Sequence, residues 1–97
     1  MNKETAKPPC YVYFILNYDS QAIKIGIAKN VKRRLASLQT SSPSKLELLS
    51  TIKTNDVNNA RKLEQSLHQQ FGELCVRGEW FKAQAKLLRY IDKLGEQ

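Results

Sequence analysis

The segment Tyr11–Ile27 decides the fold, and its sequence is YVYFILNYDSQAIKIGI. Its first part, Tyr11–Leu16, is an unbroken run of apolar, mostly β-branched or aromatic residues, which is typical of a strand buried on both faces. Turn-forming residues follow at positions 17–20, and Ile23–Ile27 has the alternating pattern of a second strand. The segment therefore predicts a β-hairpin.

A helix and a third strand are predicted after this hairpin. Asn30 is a good helix N-cap, and apolar residues then recur at helical spacing until a Thr-Ser-Ser-Pro cluster ends the pattern. The third strand covers residues 46–53, and period-two alternation places Leu46, Leu48 and Ile52 on one of its faces.

Two further helices are predicted in the C-terminal half. The pair Asn55-Asp56 caps the first of them, Gly72 ends it, and residues 75–79 form a loop. The last helix runs from Trp80 to about Leu94. Its inner stripe consists of Phe81, Leu88 and Ile91. We therefore expect an α/β (α+β) fold in the order ββαβαα, with a small, mostly antiparallel three-stranded sheet flanked by about three helices.

The composition limits the size of the protein and its class. The chain has 97 residues, so we expect one domain over residues 10–97 after a short, flexible lead-in at 1–9. No run is long enough to cross a membrane and no secretory signal is recognisable, which favours a cytoplasmic or nucleoid-associated protein. The net charge of +7 favours a polyanionic partner. Cys10 and Cys75 are expected to be reduced and at least partly buried.

One carboxylate falls on the core-facing side of the second helix. The apolar arc of that helix contains Val57, Ala60, Leu63, Leu67 and Phe71. Glu64 lies inside this arc, and His68 lies at its edge one turn later. A buried carboxylate is costly unless it is paired or holds a metal ion. Glu64 is therefore a metal ligand, or it lies at the margin of the arc and either extends its carboxylate to solvent or pairs with an arginine. Arg34, at the edge of the first helix's apolar stripe, suits that pairing or a phosphate oxygen, whereas Arg33 points to solvent.

The cations are concentrated near the hairpin. Five of them lie in a stretch without any acid: Lys24, Lys29, Lys32, Arg33 and Arg34. Such a run is either a solvated face or a surface for phosphates. Tyr11 and Tyr13 share one face of the first strand, and Lys24 and Gly26 share one face of the second. Gly26 would leave room for a ligand beside the backbone. Taken singly, these residues are equally compatible with a core tyrosine, an exposed strand lysine and a glycine at a bulge.

These residues together resemble the GIY-YIG nuclease superfamily. The resemblance rests on Tyr11-Val12-Tyr13, Lys24-Ile25-Gly26, Asn30 to Leu35, Ala60 to Glu64 and Arg77-Gly78-Glu79-Trp80-Phe81. It covers about residues 11–82 and is greatest with the phage- and meiosis-associated small domains that have KIG in place of YIG and end in GEWF. In this chain Tyr11 replaces the usual first glycine of the first motif, and Lys24 replaces the tyrosine of the second.

The resemblance implies a one-metal endonuclease that hydrolyses phosphodiester bonds with Mg²⁺ or Mn²⁺, in DNA or, as the other candidate substrate, in RNA. It implies that Tyr13 is the base, that Lys24 favours the ionised form of Tyr13, and that Arg34 stabilises the charged phosphate. Glu64 is then the metal ligand, and His68 a further catalytic candidate. Glu79 also matches the branch, without a defined role.

Nucleic acid is expected to contact the residues Tyr11, Lys29, Lys32, Arg33 and Arg34. Two other functions stay open: a catalytically weak nucleic-acid-binding module with the same fold, and an RNA-binding or ribosome-associated basic protein. The second of these has only the charge in its favour, because an RNP-like pattern of aromatic residues is absent. We expect a monomer or a weak homodimer.

Overall fold

The hairpin predicted from Tyr11–Ile27 forms the centre of the sheet in a computed structural model, which describes residues 7–96. Strand β1 covers Cys10–Asn17 and pairs antiparallel with β2, Ala22–Ala28. The Asn17 side chain closes the turn by accepting hydrogen bonds from the backbone N–H groups of Asp19 at 3.0 Å and Ser20 at 3.1 Å. The predicted hairpin is confirmed.

The sheet has five antiparallel strands in the order β3-β1-β2-β5-β4, so the predicted three-stranded sheet was too small. Strand β3 covers Leu46–Thr54, as predicted, and pairs with β1. The additional strands are β4, Cys75–Arg77, and β5, Trp80–Lys82. Each has only three residues, too few for a period-two pattern, which is why the sequence predicted a loop and the start of a helix there.

Three helices flank the sheet: α1 (Val31–Thr40), α2 (Val57–Gln70) and α3 (Ala85–Leu94). The Asn30 and Asp56 side chains cap α1 and α2, as predicted. A single 3₁₀ turn, Gly72–Leu74, follows α2.

Helix α3 begins at Ala85 rather than at Trp80. Phe81 is buried as predicted, but as a strand residue, and it therefore does not set the phase of the helix. Leu87 faces the core together with Ile91, whereas Leu88 is exposed. The predicted inner stripe was wrong at Leu88 because it extended the helical spacing back into a strand.

A β-bulge changes which residues of β3 share a face. The register between β1 and β3 shifts between Phe14 and Ile15. As a result Leu46 and Leu48 pack on the α1 side, whereas Ile52 packs on the opposite side. The prediction that all three share one face was wrong because one extra residue reverses the alternation of a strand.

The sheet separates two hydrophobic clusters. The cluster under α2 and α3 includes Val12, Phe14, Ile23, Ile25, Leu67 and Phe81. The smaller cluster under α1 includes Tyr13, Ile15, Ala28 and Leu46. Strand β1 contributes to both, which confirms that it is buried on its two faces.

Two smaller expectations can be compared with the structure. Cys10 is buried and Cys75 is exposed, so the expected burial holds only for Cys10; both are free thiols. In the predicted lead-in, residues 1–6 lie outside the described part, and residues 7–9 are exposed and belong to no helix or strand. Between residues 7 and 96, no helix is long and apolar enough to cross a membrane.

Candidate functional site

The candidate site lies at an edge of β2 that no neighbouring strand covers. Strand β5 pairs with β2 only from Ala22 to Lys24. One further backbone hydrogen bond joins the Ile25 N–H to the Glu79 carbonyl oxygen at 2.9 Å. Beyond it, the backbone groups of β2 that face this edge need partners other than a strand, because buried carbonyls are rarely left unpaired.

Two side chains from opposite faces of the sheet contact the carbonyls of this edge. His68 of α2 lies with its Nε2 2.9 Å from the Ile25 carbonyl oxygen. Arg34 of α1 donates from Nη1 to the Ile27 carbonyl oxygen at 3.3 Å. Since a carbonyl can only accept, Nε2 of His68 must hold its hydrogen in this arrangement. The free edge thus brings residues of α1 and α2 to one place.

Tyr13 lies against Gly26, its cross-strand neighbour, and is fully buried. A Cβ atom at position 26 would lie 2.5 Å from the Tyr13 Oη and 2.6 Å from its Cζ. The room beside Gly26 is therefore filled by the tyrosine of the protein itself, and the expectation of a ligand there was wrong. Arg34 Nη1 lies 3.5 Å from the same Oη.

Lys24 is held by the tip of the β4–β5 hairpin. Its Nζ lies 3.1 Å from Glu79 Oε1 and 5.5 Å from the centre of the Trp80 ring. Gly78, at φ 56°, makes the tight turn before Glu79, and glycine adopts this left-handed conformation without steric cost. The cation in contact with the Tyr13 hydroxyl is consequently Arg34, whereas Lys24 pairs with a carboxylate.

Glu64 lies on the inner face of α2, as predicted, and only 9% of it is exposed. Among the described residues it forms no ion pair with an arginine, so the alternative of an Arg34–Glu64 pair is not realised. The carboxyl of Glu79 lies near enough for its charge to act on that of Glu64. Burial raises the pKa of Glu64, the negative charge of Glu79 raises it further, and His68 and Arg61 partly oppose this shift.

The donors present suit a magnesium ion. In the described part of the chain, no three His, Cys, Asp or Glu side chains gather as a preformed metal cage. Mg²⁺ does not need one, because it keeps several waters and is usually held by one or two carboxylates together with substrate phosphates. A buried carboxylate without a cationic partner, as Glu64 is, fits that requirement.

A basic cleft adjoins this edge. It has a volume of ≈ 410 Å³ and is lined by Ala28, Lys29, Asn30, Arg33, Arg34 and Ser37. Three of the five predicted nucleic-acid contacts therefore lie together. The other two do not line the cleft: Lys32 is exposed elsewhere on α1, and Tyr11 is half-buried in β1.

The five predicted catalytic residues, Tyr13, Lys24, Arg34, Glu64 and His68, all belong to the elements that meet at this edge. Sequence reasoning gave no role to Glu79, and it missed Trp80 and Ser37. The sequence offered one signal for Glu79 and Trp80, the triplet Gly78-Glu79-Trp80, since a glycine before an acidic and an aromatic residue is compatible with a tight hairpin.

A known protein family matches nearly the whole chain. No curated protein and no solved structure is significantly similar to the chain. Residues 10–94, which include every strand and helix described above, match the T5orf172 domain. The chain therefore belongs to the T5orf172 domain family, a phage-associated domain related to nuclease-like modules.

Proposed function

We propose that this protein is a metal-dependent endonuclease of the GIY-YIG type that hydrolyses phosphodiester bonds in DNA with a single Mg²⁺ or Mn²⁺ ion. The observation that supports it most is the contact of Arg34 with both Tyr13 and the free edge of β2, with the buried Glu64 on the helix that contacts the same edge through His68. Binding alone does not require a buried carboxylate on such a helix, whereas hydrolysis needs a base and a stabiliser of negative charge.

Tyr13 is the proposed general base. The Arg34 guanidinium donates to its Oη at 3.5 Å in the absence of substrate, and as a base Tyr13 acts in its ionised, phenolate form. The phenolate takes a proton from water, the water oxygen attacks phosphorus, and the bond from phosphorus to the leaving ester oxygen breaks. Tyr13 is fully buried, so we expect Arg34 to turn from the hydroxyl towards a substrate phosphate before this step.

Arg34 and the basic cleft are the proposed phosphate contacts. Arg34 has an exposed side chain whose guanidinium already lies at the site, and its planar fork suits two phosphate oxygens. Lys29 and Arg33, in the same cleft, would hold the neighbouring backbone phosphates. Recognition of this kind is independent of base sequence.

Glu64 is the residue that would hold the metal ion. When bound, such an ion supplies positive charge that stabilises the leaving oxygen. His68 positions Glu64, because its contact with the Ile25 carbonyl fixes α2 against β2 one turn away from the carboxylate. Lys24, paired with Glu79, has a positioning role on the other side of the edge.

Cleavage of supercoiled plasmid tests this function. We expect the wild type to produce nicked circles with Mg²⁺ or Mn²⁺ and none with EDTA, since one site cuts one strand. Glu64→Ala should lose nicking and keep its DNA affinity, measured by mobility shift in EDTA. Glu47→Ala, which removes an exposed carboxylate on β3, is the matched control and should nick like the wild type. Equal loss of binding and cleavage in Glu64→Ala would contradict the role of Glu64.

The basic cleft by itself supports a second candidate function, a nucleic-acid-binding module with little or no catalysis. This candidate predicts a salt-sensitive mobility shift without nicking by the wild type, at any metal concentration. The plasmid experiment separates the two functions directly.

A further inference from the structure

Glu79 lies where the part of the candidate site that contains Lys24 and Tyr13 adjoins the part formed by α2. Its backbone oxygen accepts a hydrogen bond from the Ile25 N–H at 2.9 Å, and the Ile25 carbonyl oxygen lies 2.9 Å from His68 Nε2. The backbone N–H and C=O of Ile25 thus hold the β4–β5 hairpin and α2 side by side. Glu64, one helical turn before His68, therefore lies on the part of α2 next to this hairpin, where the charge of Glu79 acts on it.

The side chain of Glu79 also reaches the opposite face of the sheet. Its Oε1 lies 3.1 Å from the Lys24 Nζ and 3.1 Å from the position that a Cβ of Gly26 would occupy, which is beside the Tyr13 hydroxyl. Glu79 therefore contacts the Lys24 side and the Glu64 side at once. Its side chain is 41% exposed, so a cation can approach it from solvent.

When both carboxyls are ionised, the charges at this point do not balance without a further cation. Two carboxylates, Glu64 and Glu79, adjoin each other, and the one ammonium that pairs with either of them among the described residues is that of Lys24. Glu64 is nine-tenths buried and forms no ion pair with any residue in the described part of the chain, although the charges of His68 and Arg61 act on it. Adjacent carboxylates repel each other when both are ionised, and a divalent cation between them removes this repulsion.

We propose that Glu79 is a second carboxylate ligand of the metal ion that Glu64 holds, an inference that rests on the proposed function. The tip of the β4–β5 hairpin then supplies the second ligand of the metal ion, on the side of the sheet opposite to the basic cleft. Two carboxylates and several waters are a usual ligand set for Mg²⁺ and for Mn²⁺.

Lys24 competes with the metal for Glu79. Glu79 has to leave the Lys24 ammonium, wholly or in part, when it turns to the metal. Removing the ammonium should therefore tighten metal binding in two ways: it frees Glu79, and it removes a positive charge near the ion. Only the first of these effects depends on the Glu79 carboxylate. Substitution of Lys24 in chains that carry either Glu or Gln at position 79 therefore separates the two effects.

Manganese titration without DNA, followed by calorimetry or by the electron paramagnetic resonance signal of free Mn²⁺, tests the ligand role. We expect Glu64→Gln to abolish specific binding and Glu79→Gln to weaken it by about tenfold or more. Glu79→Asp, which keeps a carboxylate, should bind better than Glu79→Gln and serves as the second variant should the glutamine variant not fold. Glu73→Gln, an exposed carboxylate paired with Lys86 at 3.7 Å, is the matched control and should bind like the wild type.

Two results would overturn the proposal. One is unchanged manganese affinity in a folded Glu79→Gln variant while Glu64→Gln loses binding, which leaves the proposed function intact. The other is that Lys24→Met tightens manganese binding as much in the Glu79→Gln variant as in the chain with Glu79, because the gain in affinity then comes from charge removal alone. Unchanged binding in Glu64→Gln would instead contradict the metal site of the proposed function itself.

Discussion

At the scale of single residues, the pairing of Tyr13 with Gly26 shows how one position is determined by another. Gly26 has an extended conformation that any residue adopts, so its backbone does not require glycine. The requirement comes from the neighbouring strand, where the Tyr13 ring occupies the space of a side chain. The hydroxyl is thereby directed along the sheet towards Arg34.

Substitution of Gly26 tests this contact. We expect Gly26→Ala to displace the Tyr13 ring and to lower the free energy of unfolding by about 1–3 kcal/mol, as overpacking typically does. Gly72→Ala is the matched control, because a Cβ there meets nothing within 4 Å, and its stability should stay within about 0.5 kcal/mol of the wild type. Urea unfolding measures both, and equal stability of the two variants would contradict the contact.

The buried Glu64 makes stability depend on pH. Its raised pKa means that the folded state resists ionisation of the carboxyl. The stability of the wild type is therefore fullest below the ordinary carboxyl pKa and decreases as the pH rises through the raised pKa of the folded state. We expect Glu64→Gln to be more stable than the wild type at pH 7 in EDTA, and this advantage to disappear near pH ~4. A wild type as stable as the variant at pH 7 would contradict the burial of an ionised, unpaired carboxylate.

The sequence alone predicts part of this site. Helical periodicity placed Glu64 inside an apolar arc and Arg34 at the edge of another, because both follow from about 100° of rotation per residue. The contact of Arg34 with Tyr13 was not predicted, because it depends on how α1 crosses the sheet. Glu79 had no assigned role for the same reason: its partners, Lys24 and Glu64, are distant in sequence.

At the scale of elements, helix α1 combines structural and binding residues at its N-terminus. The Asn30 side chain accepts the Arg33 N–H at 3.0 Å, which caps the helix, and Asn30 also lines the basic cleft. The cap was predictable, since Asn at this position satisfies a free N–H group. The cleft was not, because it forms between α1 and the end of β2.

Asn30 allows the two roles to be separated. Asn30→Ser and Asn30→Asp both preserve a cap, so we expect the free energies of unfolding of the two variants, obtained from melting curves, to agree within about 0.5 kcal/mol. The aspartate adds a negative charge to the cleft and should weaken DNA binding about threefold at low salt relative to the serine variant. Fluorescence anisotropy with a labelled duplex in EDTA compares them. Equal affinity of the two variants would show that DNA binds elsewhere.

Strands β4 and β5 show where element prediction failed. Phe81 is spaced from later apolar residues as in a helix, yet it pairs with Ile23 in the sheet. Only the tertiary pairing with β2 distinguishes a three-residue strand from a helical turn at such a position. The bulge in β3 is a similar case, because an extra residue in one strand is recognisable only from the register of its partner.

At the scale of the whole molecule, the shortness of β5 creates the site. If β5 continued along β2, its backbone would take the Ile25 and Ile27 carbonyls, which His68 and Arg34 now contact. Because it stops, residues from the two faces of the sheet meet around one edge. The predicted order of elements was correct up to α2, but this meeting depends on the complete five-stranded order.

The most direct test of the account is a double-mutant cycle in single-turnover cleavage. Tyr13 and Glu64 come from opposite sides of the sheet, and the proposed reaction uses both. We expect Tyr13→Phe and Glu64→Ala each to slow Mg²⁺-dependent cleavage of a labelled DNA by at least about 100-fold, with DNA affinity in EDTA retained. The double variant should be scarcely slower than either single one, because groups that act as a unit are not additive. Cleavage at the wild-type rate by Tyr13→Phe, or losses that multiply in the double variant, would contradict a single site at the edge of β2.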